Sequence, residues 1–351
     1  MEPITIIKPS DMHTHIRQGE QVPYLASITA KNFAYIEVMP NTNPAILTGP
    51  EAISYKKEAE KHTNGTVVIP SIKITPETTE EMIREAKELG ILAGKLYFGI
   101  TTNEKEGARG IEPYLAAITA MEKYSMILLI HGEMAYKSDG TKIINLRREE
   151  AFVPIAKSIV KDFPMLKVVF EHITTAVMAI FVECCHKKNP GQVAATITAH
   201  HLMGDIDSIL GHVNEDGGEG INPHAYNKPV NKMPEDRDVL RQMAIRGLPC
   251  FFFGSDSAPH PREAKESCCG KPGVFSAKTR IESIFQVFEE EKSLHTIEKF
   301  LSINGPTFYG LPVSTEKITV VKEPWVLEEI EYHDVRHARA KETIQWKVLE
   351  N

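Results

Sequence analysis

Two histidines one residue apart, His13 and His15, close the stretch ITIIKPSDMHTHIR that begins at position 4. In an extended chain the side chains at i and i+2 share a face, so both imidazoles can converge on one point. Such a pair suits a metal ion, although a pair of core or surface histidines at a strand end has the same spacing. The other chemistry-bearing residues decide. Lys95 lies inside the apolar run AGKLYF, His131 closes MILLIH, His172 closes KVVFEH and Asp256 closes CFFFGSD. Imidazoles and a carboxylate meeting at one open mouth form the donor set of zinc or a similar divalent ion. His62, His186, His295, His333 and His337 fall in helical, loop or tail sequence and offer no such convergence.

Lys95 needs its own explanation. An ammonium inside a buried strand is costly unless it is paired, neutralised or chemically altered. One reading is a Schiff-base lysine of an aldolase-like barrel. The other is a neutral amine that has taken up carbon dioxide as a carbamate, whose two oxygens can bridge two metals. The four histidines favour the carbamate, because an aldolase has no use for a metal cluster around its lysine.

The elements that must position these groups can be read from short apolar, β-branched runs. Eight occur: 4–7, 34–39, 66–72, 93–98, 126–131, 167–172, 193–198 and 250–256. Their near-continuous apolarity predicts strands buried on both faces. Between most of them lie stretches of helical periodicity, such as 51–62, 76–90 and 148–163. Strand and helix in eightfold alternation predict an α/β fold, a (β/α)8 TIM barrel, in which reactive groups gather where strands end. The expectation is one domain over 1–351, with the barrel at about 4–312. The gap 199–249 holds an inserted loop, and a tail of about 313–351 packs outside with extended pieces at 323–335 and 342–350.

Composition narrows the function classes. The 351 residues are 42% apolar and 25% charged with a formal net charge of -7, which gives no basic footprint for nucleic acid. The N-terminus lacks the pattern of a signal peptide and no run approaches a membrane span, so no membrane partner and a cytoplasmic location are expected. Five cysteines, Cys184, Cys185, Cys250, Cys268 and Cys269, show neither a disulfide framework nor zinc-site spacing. Cys268 and Cys269 are read as loop residues, with thiol reactivity or metal binding as the alternative.

Taken in order, HTHIR, MPNTNP, AGKLYFGITTN, LLIHGE, VVFEHITT, INPHAYNKPV, GSDSAPH and INGPTFYGLPV resemble the amidohydrolase superfamily, and within it the shorter, bacterial-type dihydroorotase family. The resemblance runs from about residue 8 to 312. It implies that His13, His15 and Asp256 bind one metal, that His131 and His172 bind a second, and that carboxylated Lys95 (N6-carboxylysine) bridges both. It implies two zinc or other divalent ions per subunit, which share a hydroxide. The implied reaction is reversible cyclisation of N-carbamoyl-L-aspartate to L-dihydroorotate, with Asp256 as proton shuttle. Arg17, Asn41 and His260 would hold the substrate carboxylate, and backbone near Asn227-Lys228 and Pro272-Gly273 would meet the ring edge.

The resemblance also implies a lid carrying Thr101 and Thr102, Tyr97 beside the lysine, and a homodimer. Three departures accompany it. FGITTN is a residue shorter than the family's lid stretch, Lys228 stands where an apolar residue is commoner, and Pro272 has only a carbonyl to offer. A hydantoinase-like cyclic amidohydrolase would share the metals without the carboxylate trio. A lyase using Lys95 is the alternative from another class, and a noncatalytic barrel that serves as a partner in an assembly is a third.

Overall fold

A computed structural model describes residues 2–100, 108–213, 217–329 and 334–350. Seven of the eight apolar runs become neighbouring strands of one parallel sheet: β2 (Tyr35–Val38), β3 (Val67–Lys73), β4 (Ala93–Phe98), β5 (Ile127–Gly132), β6 (Val168–Phe170), β7 (Val193–Ile197) and β8 (Phe251–Phe253). The first run does not join them. The strand that pairs with β2 is β1, Ser10–Thr14, whose sequence SDMHT is mostly polar yet wholly buried. Ile4–Ile7 instead pairs antiparallel with Lys317–Val321, Ile4 opposite Val320, in a three-stranded sheet completed by Lys347–Val348. Periodicity therefore points to the wrong strand, because β1 gives its side chains to chemistry and ring closure rather than to an apolar core.

Closure of the ring between β8 and β1 uses backbone just beyond the strand ends. The Asp256 amide donates to the His13 carbonyl at 2.8 Å, and the His15 amide donates to the Ser257 carbonyl at 3.1 Å. The Asp11 carboxylate accepts from the Ser255 amide at 2.8 Å and is itself paired with buried Arg280. Gly254 is required at this seam, since a Cβ there would lie 2.8 Å from the Cβ of His13.

Outside the ring run helices that include Gly49–Glu60, Glu80–Glu88, Leu115–Lys123, Arg148–Asp162, Ala176–Lys188, Pro234–Ile245 and Arg280–Glu290. Three of them start at a threonine whose hydroxyl accepts a first-turn amide: Thr48, Thr79 and Thr175. Thr48 and Glu51 form a reciprocal capping box. The fold is the expected TIM-type α/β barrel. Its core is continuous from the strand faces to these helices, with Phe98, Phe152, Phe170, Phe251, Phe252 and Phe253 among the largest buried side chains.

The expected loop after β7 is built of short pieces. Helices Ala199–Met203 and Asp207–Leu210 and a two-residue hairpin, His212–Val213 with Glu219–Gly220, lead to Asn227 and Lys228 before helix Pro234–Ile245 begins. The C-terminal segment forms Trp325–Val326 against Thr343–Ile344 and seats Trp346, fully buried, 5.2 Å from the Phe285 ring. Among the described residues no helix is long and apolar enough to cross a membrane.

Candidate active site

Strand ends bring the chemistry together. On β4, Lys95 and Tyr97 point to one face, and Tyr97 is in register with His131 at the end of β5. His172 follows β6, Asp256 follows β8, and His13 with His15 straddles the end of β1. His172 and Asp256 both hold positive φ angles, 41° and 45°, a conformation uncommon for residues with a Cβ. This backbone bends each side chain back over the mouth.

One cavity is lined by His13, His15, Arg17, Asn41, Tyr97, His131, His172, Lys228, Asp256, His260, Pro272 and Gly273. The residues expected from sequence to face the site line it, apart from Lys95 and Asn227, which are fully buried and do not line it, and Thr101 and Thr102, which lie outside the described residues. Cys268 and Cys269 do not line it. They are exposed and free, with sulfurs 3.8 Å apart.

The geometry is that of a ligand set facing inward. Donor atoms of His13, His15 and Asp256, all buried, lie within 4.8 Å of one another. Asp256 Oδ1 is 3.0 Å from His15 Nε2 and 3.4 Å from His13 Nε2. His131 Nδ1 faces His172 Nε2 at 3.2 Å, ring centroids 4.8 Å apart. Buried polar atoms without a hydrogen-bond partner at this spot include Lys95 Nζ and His172 Nδ1. Orphaned buried nitrogens are expensive, and a cation or a covalent change at the lysine removes the cost. These residues fit a divalent metal ion.

Electrostatics agree. Burial pushes the Lys95 ammonium down to about 8, far enough for a neutral amine to be accessible. Burial would raise the Asp256 carboxyl, but hydrogen bonds from His13 and His15 outweigh it and hold the group well below the usual range, so it is ionised at neutral pH. Burial holds His172 far below the ordinary imidazole value and takes His15 to about 4, leaving lone pairs available for coordination.

Arg17 and His260 line the same cavity. Arg17 Nη2 donates to His260 Nε2 at 3.1 Å and to the Pro259 carbonyl at 2.8 Å. Arginine only donates, so His260 Nε2 accepts and its proton sits on Nδ1. Burial, with Arg17 second, takes His260 to about 2, which keeps that ring neutral.

No protein-family model matches the chain. A curated dihydroorotase of Aliivibrio fischeri is 39% identical over 99% of this chain and 100% of its own length. One from Pseudomonas aeruginosa is 38% identical over 99% of this chain and 98% of its own. The chain belongs to the dihydroorotase family. The crystal structure of Saccharomyces cerevisiae dihydroorotase in complex with 5-fluoroorotic acid superposes with a TM-score of 0.91 at 33% identity, covering 99% of both chains. An L-hydantoinase from Arthrobacter aurescens, at 13% identity and a TM-score of 0.80, shares the fold.

Several polar residues that support the dihydroorotase-family site escape a reading of the sequence. Glu171 accepts from His13 Nδ1 at 2.7 Å and from Thr196 Oγ1 at 2.6 Å, which fixes the tautomer that leaves His13 Nε2 facing the cavity. Glu133 lies 3.2 Å from His131 Nε2 and does the same there. Their only sequence signal is adjacency, in EH and HGE, to a histidine already suspected.

Proposed function

We propose that this chain catalyses the reversible cyclisation of N-carbamoyl-L-aspartate to L-dihydroorotate, the ring-closing step of pyrimidine synthesis, as a metal-dependent cyclic amide hydrolase. The carrying observation is the joint presence, in one cavity, of the buried His13–His15–Asp256 cluster and the Arg17–His260 pair. The first suits amide hydrolysis; the second suits a ring bearing a carboxylate.

His13, His15 and Asp256 would hold one zinc or similar ion, and His131 and His172 a second, with Lys95 as N6-carboxylysine between them. When bound, the ions supply Lewis acidity at the amide carbonyl and lower the pKa of water. The unpartnered Lys95 amine, lowered by burial, is the nucleophile that adds to carbon dioxide; its nitrogen gains the carboxyl carbon and releases a proton.

In ring opening, ionised Asp256 takes the proton of the attacking water and passes it to the departing amide nitrogen; in closure it carries that proton back. Arg17 presents a planar fork to the substrate carboxylate, with neutral His260 and Asn41 beside it. Lys228 and Pro272 border the ring, where Pro272 can offer only its carbonyl. Thr101 and Thr102, on the segment after Ile100, would close over the substrate.

We further propose that the whole chain is one barrel domain with its tail as a flank, that it works in the cytoplasm, and that it pairs as a homodimer. The family resemblance supports the pairing, and exposed Val177 and Ile180 provide apolar surface for it. Assay of purified protein on L-dihydroorotate and on neutral hydantoins tests the main reading. Ring opening of dihydroorotate with no turnover of hydantoins is expected; the reverse preference would replace this reading with a hydantoinase.

A further inference from the structure

Beside the carboxylate-binding corner lies a buried cation that the reaction does not use. Lys265, 3% exposed, ends a single helical turn, Arg262–Lys265, that follows directly on His260 and Pro261. Its Nζ donates to three carbonyls: Tyr226 at 2.9 Å, Lys271 at 2.8 Å and Gly273 at 2.6 Å. Burial lowers Lys265 to about 7, and the three carbonyl acceptors favour the ammonium, the only form with three N–H groups. Among the described residues no carboxylate forms an ion pair with it; its partners are loop carbonyls and the Tyr226 ring, 6.0 Å from Nζ.

Those carbonyls belong to two loops that meet at the cavity wall. The Gly273 amide also donates to the Tyr226 carbonyl at 2.9 Å, so the loop before Asn227 and the strip 271–273 are joined twice. Gly273 has no room for a Cβ, which would lie 2.9 Å from the His260 ring and 2.8 Å from the Ala258 carbonyl. His260 forms a hydrogen bond with the backbone of Pro272; proline has no N–H, so the acceptor is the Pro272 carbonyl and the donor is the His260 ring. The Lys271 and Gly273 carbonyls flank the one that orients His260.

We propose that Lys265 is a positioning residue for substrate-carboxylate recognition: its ammonium pins the 271–273 strip, the Pro272 carbonyl fixes the His260 ring, and His260 presents the Arg17 fork. This rests on reading the cavity as the site of a carboxylate-bearing ring. None of its contacts is with a group proposed to break the amide bond, so Lys265 acts on binding rather than turnover.

The test uses metal-loaded, full-length Lys265→Met and His260→Ala and the double variant, with L-dihydroorotate as substrate and orotate as the binding probe. Expected for Lys265→Met is a rise of about tenfold in both KM and the orotate Kd with kcat changed less than about threefold. In the His260→Ala background the same change adds nothing further, because both act through one ring. Should Lys265→Met fail to fold, Lys265→Gln, which keeps two N–H donors, is read by the same ratios. Unchanged KM and Kd in folded variant protein, a loss confined to kcat, or an equal rise in both backgrounds overturns the proposal. Wild-type enzyme that neither opens dihydroorotate nor binds orotate overturns the substrate reading instead.

Discussion

Lys95 and Asp256 carry the most chemical meaning per atom. Lys95 is fully buried with an unpartnered Nζ, so under the proposed reading replacing it removes the group that would bridge the ions. Lys95→Ala is expected to purify with most of its metal gone and without activity, and to regain part of both when a small carboxylic acid is supplied. Elemental analysis with and without the acid checks this; wild-type metal content in the variant contradicts it. Asp256 lies 3.0 Å from His15 and 3.4 Å from His13, and it is the proposed proton carrier. Asp256→Asn should lower kcat by about three orders of magnitude or more, because it loses both a charge and a base. Steady-state turnover of dihydroorotate measures it.

Among elements, the instructive difference lies at the start of the barrel. Apolar periodicity finds β2 to β8 because each is buried on both faces, and it fails at β1, where SDMHT carries Asp11 for the seam and His13 for the site. ITII satisfies the same rule with only a flanking sheet to join. Of the proposed metal-site residues, Lys95, His131, His172 and Asp256 were legible because each stands in or at the end of an apolar run, and His13 and His15 by their spacing, whereas Glu171, Glu133 and Lys265 were not, because their meaning lies in contacts between distant segments. The tail was legible only as extended. Its anchor is Trp346, buried against Phe285 and donating through Nε1 to Glu289 at 3.1 Å. Trp346→Ala should cost about 3–5 kcal/mol of stability, since loss of a large buried ring leaves a cavity. Urea denaturation reads that loss directly.

At the scale of the molecule, burial of neutral histidines makes stability depend on pH. His337 is fully buried in the tail, accepts from the Arg339 amide through Nδ1 at 3.2 Å, and is held by burial at about 3 against an ordinary 6.5. A depressed folded-state value means that the unfolded chain takes up a proton first. The stability His337 contributes is therefore present above pH 6.5 and lost as pH falls toward its folded value, at about 1.4 kcal/mol per pH unit. His337→Asn, which can keep the acceptor for Arg339, should flatten the decline in the denaturation midpoint between about pH 7 and pH 5. A decline as steep as that of the wild type would remove His337 as its source.

Under the proposed function the strand ends together hold cations beside an activated water and a carboxylate-bearing ring. Turnover of L-dihydroorotate by the same preparation before chelation, after chelation and after zinc is restored tests it most directly. Activity that disappears with the ions and returns with them is predicted. Undiminished turnover by protein shown to be free of metal would contradict the account.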